Sequence, residues 1–504
     1  MRFKHIGLLL SLWLAGCMVV GPDYHPPTLQ VPRAWQQASA SQPPPVDQWW
    51  LLFEDKELNR LMTEATQANL DVKQALSRIK DARAQRLAIL AAALPSTTAR
   101  SNASQRLNNM SSGSQNSTFG GGFGVGDQLI NIFQSGFDAQ WELDFFGGAL
   151  RAAESADATV ASELESSRDV LITLQADVAR QYMDLRVNQQ LAVLTHQLLS
   201  LLQESKKLAH VRHQSGLAGF TEVIDAENQL ATVEAQLPVL ERDSQAAIHA
   251  LSILLAKPPS ALQDRLVSPA KLPTLQPAIF ADLPAQLLQR RPDIRRAERQ
   301  LAAANAAIGA ALSELYPKVN LSAFLGLQNT RITDVTPLGK SWSTAASLTL
   351  PIFDWGRLNA NVDSKKAQTE TALAAYQATV LKAFKEVEDA LLAINKEQHR
   401  QVALENAVAA ERTALSLTDQ RYQAGLIAFD QVLVAQQAVN RAESEKTNSL
   451  AVLARQQIAL FKALGGGWQK EKIVGSICEN CQKPLVEQVT GPARAFFGEG
   501  ATLR

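Results

Sequence analysis

The sequence predicts a mainly α-helical chain with transmembrane β-strands, built from two copies of one unit. The first observation is a motif that occurs twice: Arg212–Phe220 and Arg421–Phe429 lie 209 positions apart and share the pattern Arg-x-x-x-Gly-Leu-x-x-Phe. The second is that about 60 residues without Pro or Gly precede each motif, enough for helices of roughly 95 Å. The third is a set of four segments in which apolar and polar residues alternate, which is the period of a strand.

The duplication extends upstream of the motif. Phe146-Gly147 and Trp355-Gly356 keep the offset of 209, whereas Leu94-Pro95 and Tyr316-Pro317 are 222 positions apart, so the first copy holds 13 extra residues in between. A repeat of about 210 residues is too long for a solenoid unit. A single duplicated architecture therefore competes with the two to four domains that 504 residues would suggest.

Composition narrows the function classes. The 49 basic and 49 acidic residues balance, which argues against nucleic-acid binding because that function usually shows a basic excess. Hydrophobic residues reach 46% but aromatic residues only 6%, so the apolar content is mostly Ala, Leu and Val, as suits long packed helices. The sequence shows no nucleophile–base pair, phosphate loop or paired-carboxylate arrangement, and it predicts neither an enzyme nor a cofactor.

The N-terminus predicts a lipoprotein signal peptide over residues 1–17. A charged start precedes a short apolar core, Ile6–Ala15, which is too short to cross a bilayer as a helix. Leu14-Ala15-Gly16-Cys17 then resembles a bacterial lipobox in which Cys17 carries the lipid; the alternative is an ordinary signal peptide with an incidental cysteine. Since no run of 18 apolar residues follows Cys17, any later membrane crossing is expected to use the strands of a closed β-barrel.

The positions of Pro and Gly predict the helix and domain boundaries. Residues 18–53 are rich in Pro and are predicted to be extended. Helices are predicted over 54–94, 148–212, 219–256, 292–315, 358–421 and 427–464. The predicted organisation is an N-terminal extension with the first repeat over 18–257, a connector over 258–283, the second repeat over 284–464 and a C-terminal tail over 465–504.

Two β-hairpins are predicted, one in each repeat, over 96–145 and 318–353. Their segments have the length of tilted membrane strands, although the strands of a soluble amphipathic sheet would show the same pattern. The first hairpin loop holds the 13 extra residues and is rich in Gly and Ser, as expected for an exposed, extracellular loop. The polar face carries three carboxylates that either bias a lumen towards cations or are simply solvated: Asp138, Glu142 and Asp144.

The number of strands predicts that several chains assemble. Four strands cannot close a barrel, since about eight is the practical minimum. Open strand edges are not tolerated inside lipid, so several chains are expected to share one barrel. Two chains would supply eight strands around a filled interior, whereas three would supply twelve strands around a lumen. Charged residues on the inward face need water, which favours three copies.

Several short motifs carry a family resemblance when they are taken together. The predicted mature chain starts Cys17-Met-Val-Val-Gly-Pro-Asp-Tyr-His-Pro, and Trp49-Trp50 is followed by Phe53. With the paired hairpins and the repeated Arg-x-x-x-Gly breaks, these motifs resemble the TolC/OprM (NodT-type) outer-membrane factor family from Cys17 to about Trp468. The resemblance implies a lipid-anchored homotrimer of the outer membrane, in which a twelve-stranded β-barrel continues into a long α-helical barrel that extends into the periplasm.

The resemblance also implies a function and partners. The function is that of the outer-membrane channel of a tripartite efflux pump, which passes small molecules such as drugs to the exterior. The implied partners are a periplasmic adaptor (membrane fusion) protein, an inner-membrane transporter of the RND type and outer-membrane lipid, with a collar drawn from residues 18–53, the connector and the C-terminal stretch. Two other functions stay open: the channel of a type I protein secretion system, and a lipid-anchored periplasmic coiled-coil scaffold without a pore.

A gate is expected at the periplasmic tip, where the chain direction places the helix breaks at Gly216 and Gly425. In the family, acidic residues after each break form a ring in the trimer. Val434 and Ile427 depart from the Asp and the basic or polar residue that are frequent there, which predicts a ring in the second repeat that is either weaker or rests on Asp430 alone. Complementarity to the helix dipole would also account for several of these acids. The gate residues carried over by motif are Thr221, Glu222, Asp225, Arg421, Tyr422, Asp430 and Gln431.

The remaining candidates for metal or redox chemistry are few. Cys478 and Cys481 form one CxxC pair, which cannot fill a tetrahedral zinc site; in an oxidising periplasm it is either a local disulfide or an idle pair of thiols. His210 and His213 lie three apart on a predicted helix and are interpreted as surface residues. No metal site is therefore predicted.

Overall fold

The fold is that of a computed structural model, which describes residues 19–29, 31–32, 34–36, 46–108, 128–275, 284–329 and 340–468. The signal peptide with Cys17, the long loop of the first hairpin, and the tail with Cys478 and Cys481 lie outside the described residues. What the sequence predicts for these three segments therefore stays a prediction. Within the described ranges, no helix combines the length and the hydropathy that crossing a membrane requires.

Two helices of 67 residues dominate the described chain, α3 and α9. Each begins after a glycine with left-handed backbone, Gly147 (φ 74°) and Gly356 (φ 81°), and each spans roughly 100 Å at 1.5 Å per residue. The α-helices of the described residues are α1 (Lys56–Ala68), α2 (Leu70–Ala92), α3 (Gly148–Gln214), α4 (Phe220–Glu234), α5 (Leu237–Leu254), α6 (Gln263–Leu266), α7 (Pro284–Arg290), α8 (Pro292–Ser313), α9 (Arg357–Gln423) and α10 (Phe429–Ala463).

The helix predicted over 54–94 is two helices, α1 and α2, which meet at Asn69. The Oδ1 atom of Asn69 accepts hydrogen bonds from the backbone N–H groups of Asp71 (2.8 Å) and Val72 (3.1 Å), while its Nδ2 donates to the carbonyl of Leu254 (2.9 Å). Asn69 therefore caps α2, and its extended backbone ends α1. The prediction of one helix was wrong because a single capping residue leaves the helical composition of the segment unchanged.

The helix predicted over 219–256 is also divided, into α4 and α5. Pro238 lies in the first turn of α5, the position where its missing N–H is tolerated; inside a continuous helix it would leave a carbonyl without a donor. The equivalent position in the second repeat is Thr447, which keeps its N–H, and α10 runs unbroken. The sequence prediction overlooked this proline.

The strands form one antiparallel four-stranded sheet in chain order. On one face Leu325 lies between Phe137 and Trp342, and these side chains are 65%, 59% and 73% exposed. The other face is mostly polar and includes Asp138. Strands β1 and β4 are the two edges of the sheet. Its members are β1 (Ser96–Asn108), β2 (Gln128–Leu143), β3 (Lys318–Asn329) and β4 (Lys340–Thr349).

A hydrophobic core joins the two repeats around the middle of the long helices. Trp49 stacks on Phe461 of α10 with ring centroids 5.2 Å apart, and the Tyr182 hydroxyl of α3 donates to Asp55 (2.9 Å). Trp49 belongs to a short 3₁₀ helix, Val46–Phe53, within the segment predicted to be extended. That prediction was wrong for these residues because the last proline, Pro45, precedes them and the aromatic side chains pack into the core.

The N-terminal segment contacts the start of α3 in the first repeat. The backbone N–H of Val20 donates to the carbonyl of Phe146 (3.1 Å), and the buried guanidinium of Arg151 donates to the carbonyls of Val20 (3.2 Å) and Gly21 (3.3 Å). In the second repeat, no described atom lies within 4 Å of a Cβ placed on Gly356. One of the two otherwise similar junctions between strand and helix is thus covered by the N-terminal segment.

Candidate functional site

Both helix breaks have the same backbone. Gly216 and Gly425 each have φ of 71°, in the left-handed region. The N–H of Gly216 donates to the carbonyl of His213 (2.9 Å), and the N–H of Gly425 donates to the carbonyl of Tyr422 (2.8 Å). In each break the following leucine N–H donates to the carbonyl of the motif arginine, at 2.8 Å and 2.9 Å. This pair of bonds is a Schellman motif, which ends a helix by satisfying its last carbonyls.

An aromatic contact spans each break. The His213 and Phe220 rings lie 5.4 Å apart, and the Tyr422 and Phe429 rings lie 5.3 Å apart, with similar interplanar angles of 53° and 51°. The two pairs occupy equivalent positions, 209 apart. Tyr422 was predicted as a gate residue, whereas the role of its counterpart His213 was missed. The contacts hold the outgoing helix against the incoming one and so fix the shape of both turns.

Arg212 connects the two repeats at this end of the molecule. Its Nη1 atom lies 3.5 Å from Oε1 of Glu222 in its own repeat and 3.9 Å from Oδ2 of Asp430 in the other. The three side chains are partly exposed, at 31%, 41% and 51%. A single cation thus lies between the two predicted gate acids, and we call Arg212, Glu222 and Asp430 the tip triad.

The second repeat has no matching ion pair among the described residues. Arg421 occupies the position of Arg212, but Gln431 occupies the position of Glu222, and an amide supplies no charge. Arg421 is exposed, as are the predicted gate residues Thr221, Asp225 and Gln431. The structure therefore brings together two of the seven predicted gate residues, and it places them around a cation that the prediction did not include.

A second charged cluster lies further along the first pair of helices. Glu227 of α4 faces α3, with Oε1 3.1 Å from Nζ of Lys206 and 3.5 Å from Nε2 of His210. The hydrogen bond and charge of Lys206 hold the pKa of Glu227 below its ordinary value. His210 was interpreted as a surface residue without a role; it is partly exposed, and it faces this carboxylate.

The carboxylates predicted to face the lumen have separate partners. Asp138 lies 4.0 Å from Arg100 on the neighbouring strand, and Glu142 lies 3.5 Å from Lys318. Asp144, predicted to lie on the strand, is one position beyond β2, and its Oδ2 accepts a hydrogen bond from the N–H of Leu150 (3.1 Å) at the start of α3; that it faces a lumen stays a prediction. In the described ranges, no group of His, Cys, Asp or Glu residues is arranged to hold a metal ion.

Sequence reasoning missed Arg212 as a partner for a specific reason. Glu222 is near it in the chain, but Asp430 is 218 positions away and approaches only when the two repeats pack side by side. The constant offset of the motif could have suggested that the two turns meet. It could not have indicated which of the two arginines would be shared.

The chain matches the family described as "Outer membrane efflux protein" over residues 61–257 and 283–466, one block for each repeat. The pyoverdine export outer membrane protein OpmQ of Pseudomonas aeruginosa is 33% identical over 484 residues, which cover 94% of this chain and 98% of that protein. Nodulation protein T of Rhizobium leguminosarum bv. viciae is 31% identical over 476 residues, covering 94% and 95%. Among solved structures, the outer-membrane channel OprN has a TM-score of 0.80 at 31% identity, covering 89% of this chain and 99% of that one.

Proposed function

Because the chain belongs to the outer membrane efflux protein family, we propose that it works as a homotrimer, in which three copies form one conduit across the outer membrane and the periplasm. The chain is an outer-membrane efflux channel, and the resemblance inferred from its motifs is confirmed. Members of the family are channels rather than enzymes, so this chain contributes a passage and no catalytic step. Lipid on Cys17 would anchor each copy to the membrane.

The observation that carries the trimer is the open sheet. Strands β1 and β4 each present an edge of backbone N–H and C=O groups, and lipid cannot satisfy such groups. Pairing β4 of one copy with β1 of the next removes all free edges once three copies close a twelve-stranded barrel. The exposed apolar face with Phe137 and Trp342 would then contact lipid, and the face with Asp138 would contact water.

The tip triad is the proposed gate. Three copies would place three arginines and six acids around the entrance, with each arginine between two carboxylates of its own chain. Arg421, which has no ion pair within the described residues of its own chain, is available to a carboxylate of the neighbouring copy. Thr221, Asp225, Tyr422 and Gln431 would complete the rim. Opening then requires only that the repeats separate at the tip, since the triad joins one repeat to the other.

Two further components complete the proposed pump: a periplasmic adaptor and an inner-membrane RND-type transporter. Leu217 and Leu426 occupy equivalent positions in the two turns and are 74% and 70% exposed, so the tip offers apolar side chains for contact with an adaptor. The name of OpmQ records export of pyoverdine, a small molecule, which favours small-molecule export over protein secretion for this chain as well.

Assembly and conductance test the proposal together. Purified full-length protein should run as a heat-modifiable trimer and should form conducting channels in planar lipid bilayers. A chain that stays monomeric or dimeric and conducts nothing would instead support a periplasmic scaffold. Trimers that do not conduct would support the proposed assembly but contradict a passage that is open, or can open, under those conditions.

A further inference from the structure

One aromatic residue of the sheet departs from the alternation of polar and apolar faces. Phe324 lies in register between Asp138 of β2 and Ser343 of β4, on the polar face. Among the strand residues whose side chains the structure describes, Phe324 alone is buried, with 9% of its surface exposed. A ring on this face would normally project away from the sheet and remain exposed, so something beside it must provide a seat.

The seat is a pair of glycines. Gly136 of β2 lies opposite Gly326 of β3, one residue pair away from Phe324 along the polar face. A Cβ placed on Gly136 would lie 2.8 Å from Cε2 of Phe324, and one placed on Gly326 would lie 2.7 Å from its Cζ. The ring therefore occupies part of the space that two side chains would need. Backbone atoms of the facing strand lie closer still to both positions: Leu325 O and Cα of Gly326 beside Gly136, and Ser135 O and Cα of Gly136 beside Gly326. Rings that cover glycines of a neighbouring strand are a recognised way of stabilising sheets.

We propose that the Gly136–Gly326 pair holds the Phe324 ring flat against the wall of the passage and thereby keeps the barrel lumen open at this level. This inference rests on the proposed trimeric conduit, in which the polar face lines the lumen. Three copies then bring three phenylalanines to one level of the passage, beside Asp138. With the rings lying on the glycines, this level stays open; with the rings projecting inward, it would be the narrowest part of the strand region.

Enlarging the seat residues should displace the ring into the passage. In planar bilayers, Gly326→Ala is expected to lower single-channel conductance relative to the wild-type chain, and adding Phe324→Ala to it should restore conductance. Phe324→Ala alone should leave conductance unchanged, because the wild-type ring lies along the wall. Since a Cβ on Gly326 would also lie 2.6 Å from Cα of Gly136, a third variant avoids crowding the backbone: Phe324→Trp keeps both glycines and carries a ring too large for the seat, so it should also lower conductance.

Ala323→Val is the matched control. It enlarges the adjacent residue on the opposite, apolar face, where Ala323 lines an open cavity of about 500 Å³, so conductance should not change. An increase in conductance on Phe324→Ala would show that the ring already obstructs the passage, and unchanged conductance in both Gly326→Ala and Phe324→Trp would show that it does not face the lumen. Either result overturns the inference while the wild-type channel still conducts. A wild-type chain that does not conduct would reject the proposed function instead.

Discussion

The two helix breaks have nearly identical backbones and different charges. Gly216 and Gly425 share φ, hydrogen-bond pattern and the geometry of the adjoining ring contact. At the position of Glu222, however, the second repeat carries Gln431, and the arginine that reaches both repeats is Arg212. The two repeats thus share the turn but differ in their ion pairs.

The comparison separates two properties of the tip: the shape of the turn and the ion pairs around it. The turn depends on backbone conformation, which a single glycine provides at either position. The ion pairs depend on side chains, which are free to change once the turn is stable. Five predictions test how far the likeness and the difference between the repeats extend, from the largest expected effect to the smallest.

The largest expected effect concerns the helix that follows each break, because the first repeat is divided before Pro238 whereas α10 is continuous. Thr447→Pro places a proline inside continuous α10 at the position where the first repeat has Pro238, and it should lower the free energy of unfolding by about 3 kcal/mol. Thermal unfolding of the purified protein would measure the loss. Thr447→Ala, which removes the hydroxyl bond to Glu443 but keeps the N–H, is the control and should cost far less.

The glycines of the breaks should respond alike. Gly216→Ala and Gly425→Ala each force an alanine into a left-handed conformation, at a cost of roughly 1–2 kcal/mol. No described atom lies within 4 Å of either added Cβ, so the cost is conformational and should be equal at the two sites. Denaturation curves of the single variants would reveal an unequal loss, which would contradict the equivalence of the two turns.

Substitution of Arg212 should have a larger effect than substitution of Arg421, because only Arg212 belongs to the tip triad. Arg212→Ala removes two partly exposed ion pairs, each contributing about 0.2–1 kcal/mol, so the closed state should weaken and conductance should rise. Glu222→Ala combined with Asp430→Ala should raise conductance similarly, because it removes the same contacts from the other side. Arg421→Ala is the matched comparison; an equal rise there would indicate that a neighbouring chain supplies its partner.

The missing pair can be restored. Gln431→Glu should allow an ion pair with Arg421 like that between Arg212 and Glu222, stabilising the closed tip by about 0.5 kcal/mol and lowering conductance slightly. High salt should cancel the effect. Gln431→Glu combined with Arg421→Ala should not stabilise the closed tip. Stabilisation in this double variant would show that the effect comes from the added charge and not from an ion pair with Arg421.

The smallest effect should be the acid sensitivity of the Lys206–Glu227 pair in the first repeat. Lys206 lowers the pKa of Glu227, so the stabilisation from this pair is fully present above the unfolded carboxyl pKa of about 4.3 and is lost as pH falls through the lower folded value. Glu227→Gln should remove that component from the pH dependence of stability. The equivalent residue in the second repeat is Gln436, so Gln436→Asn should leave the pH profile unchanged.

Much of the fold could be predicted because it depends on local patterns. The class of mainly α chain with strands is confirmed, and both long helices end at the predicted glycines. The misses concern residues whose effect is not local. Asn69 ends one helix by capping the next and by bonding to Leu254, and composition carries no trace of that contact. Phe324 disturbs the alternation of its strand, and part of the reason, Gly136, lies on the neighbouring strand.

The repeat itself was readable from the chain, because an offset of 209 between matching motifs requires no coordinates. So were the turns, since a glycine after a long helix meets a local conformational need. The ion pair of Arg212 with Asp430 of the other repeat, and the contact of Phe324 with Gly136, depend on atoms that are distant in the chain. Such contacts exist only after the repeats pack and the strands pair, and the side-chain geometry that results has no local signature.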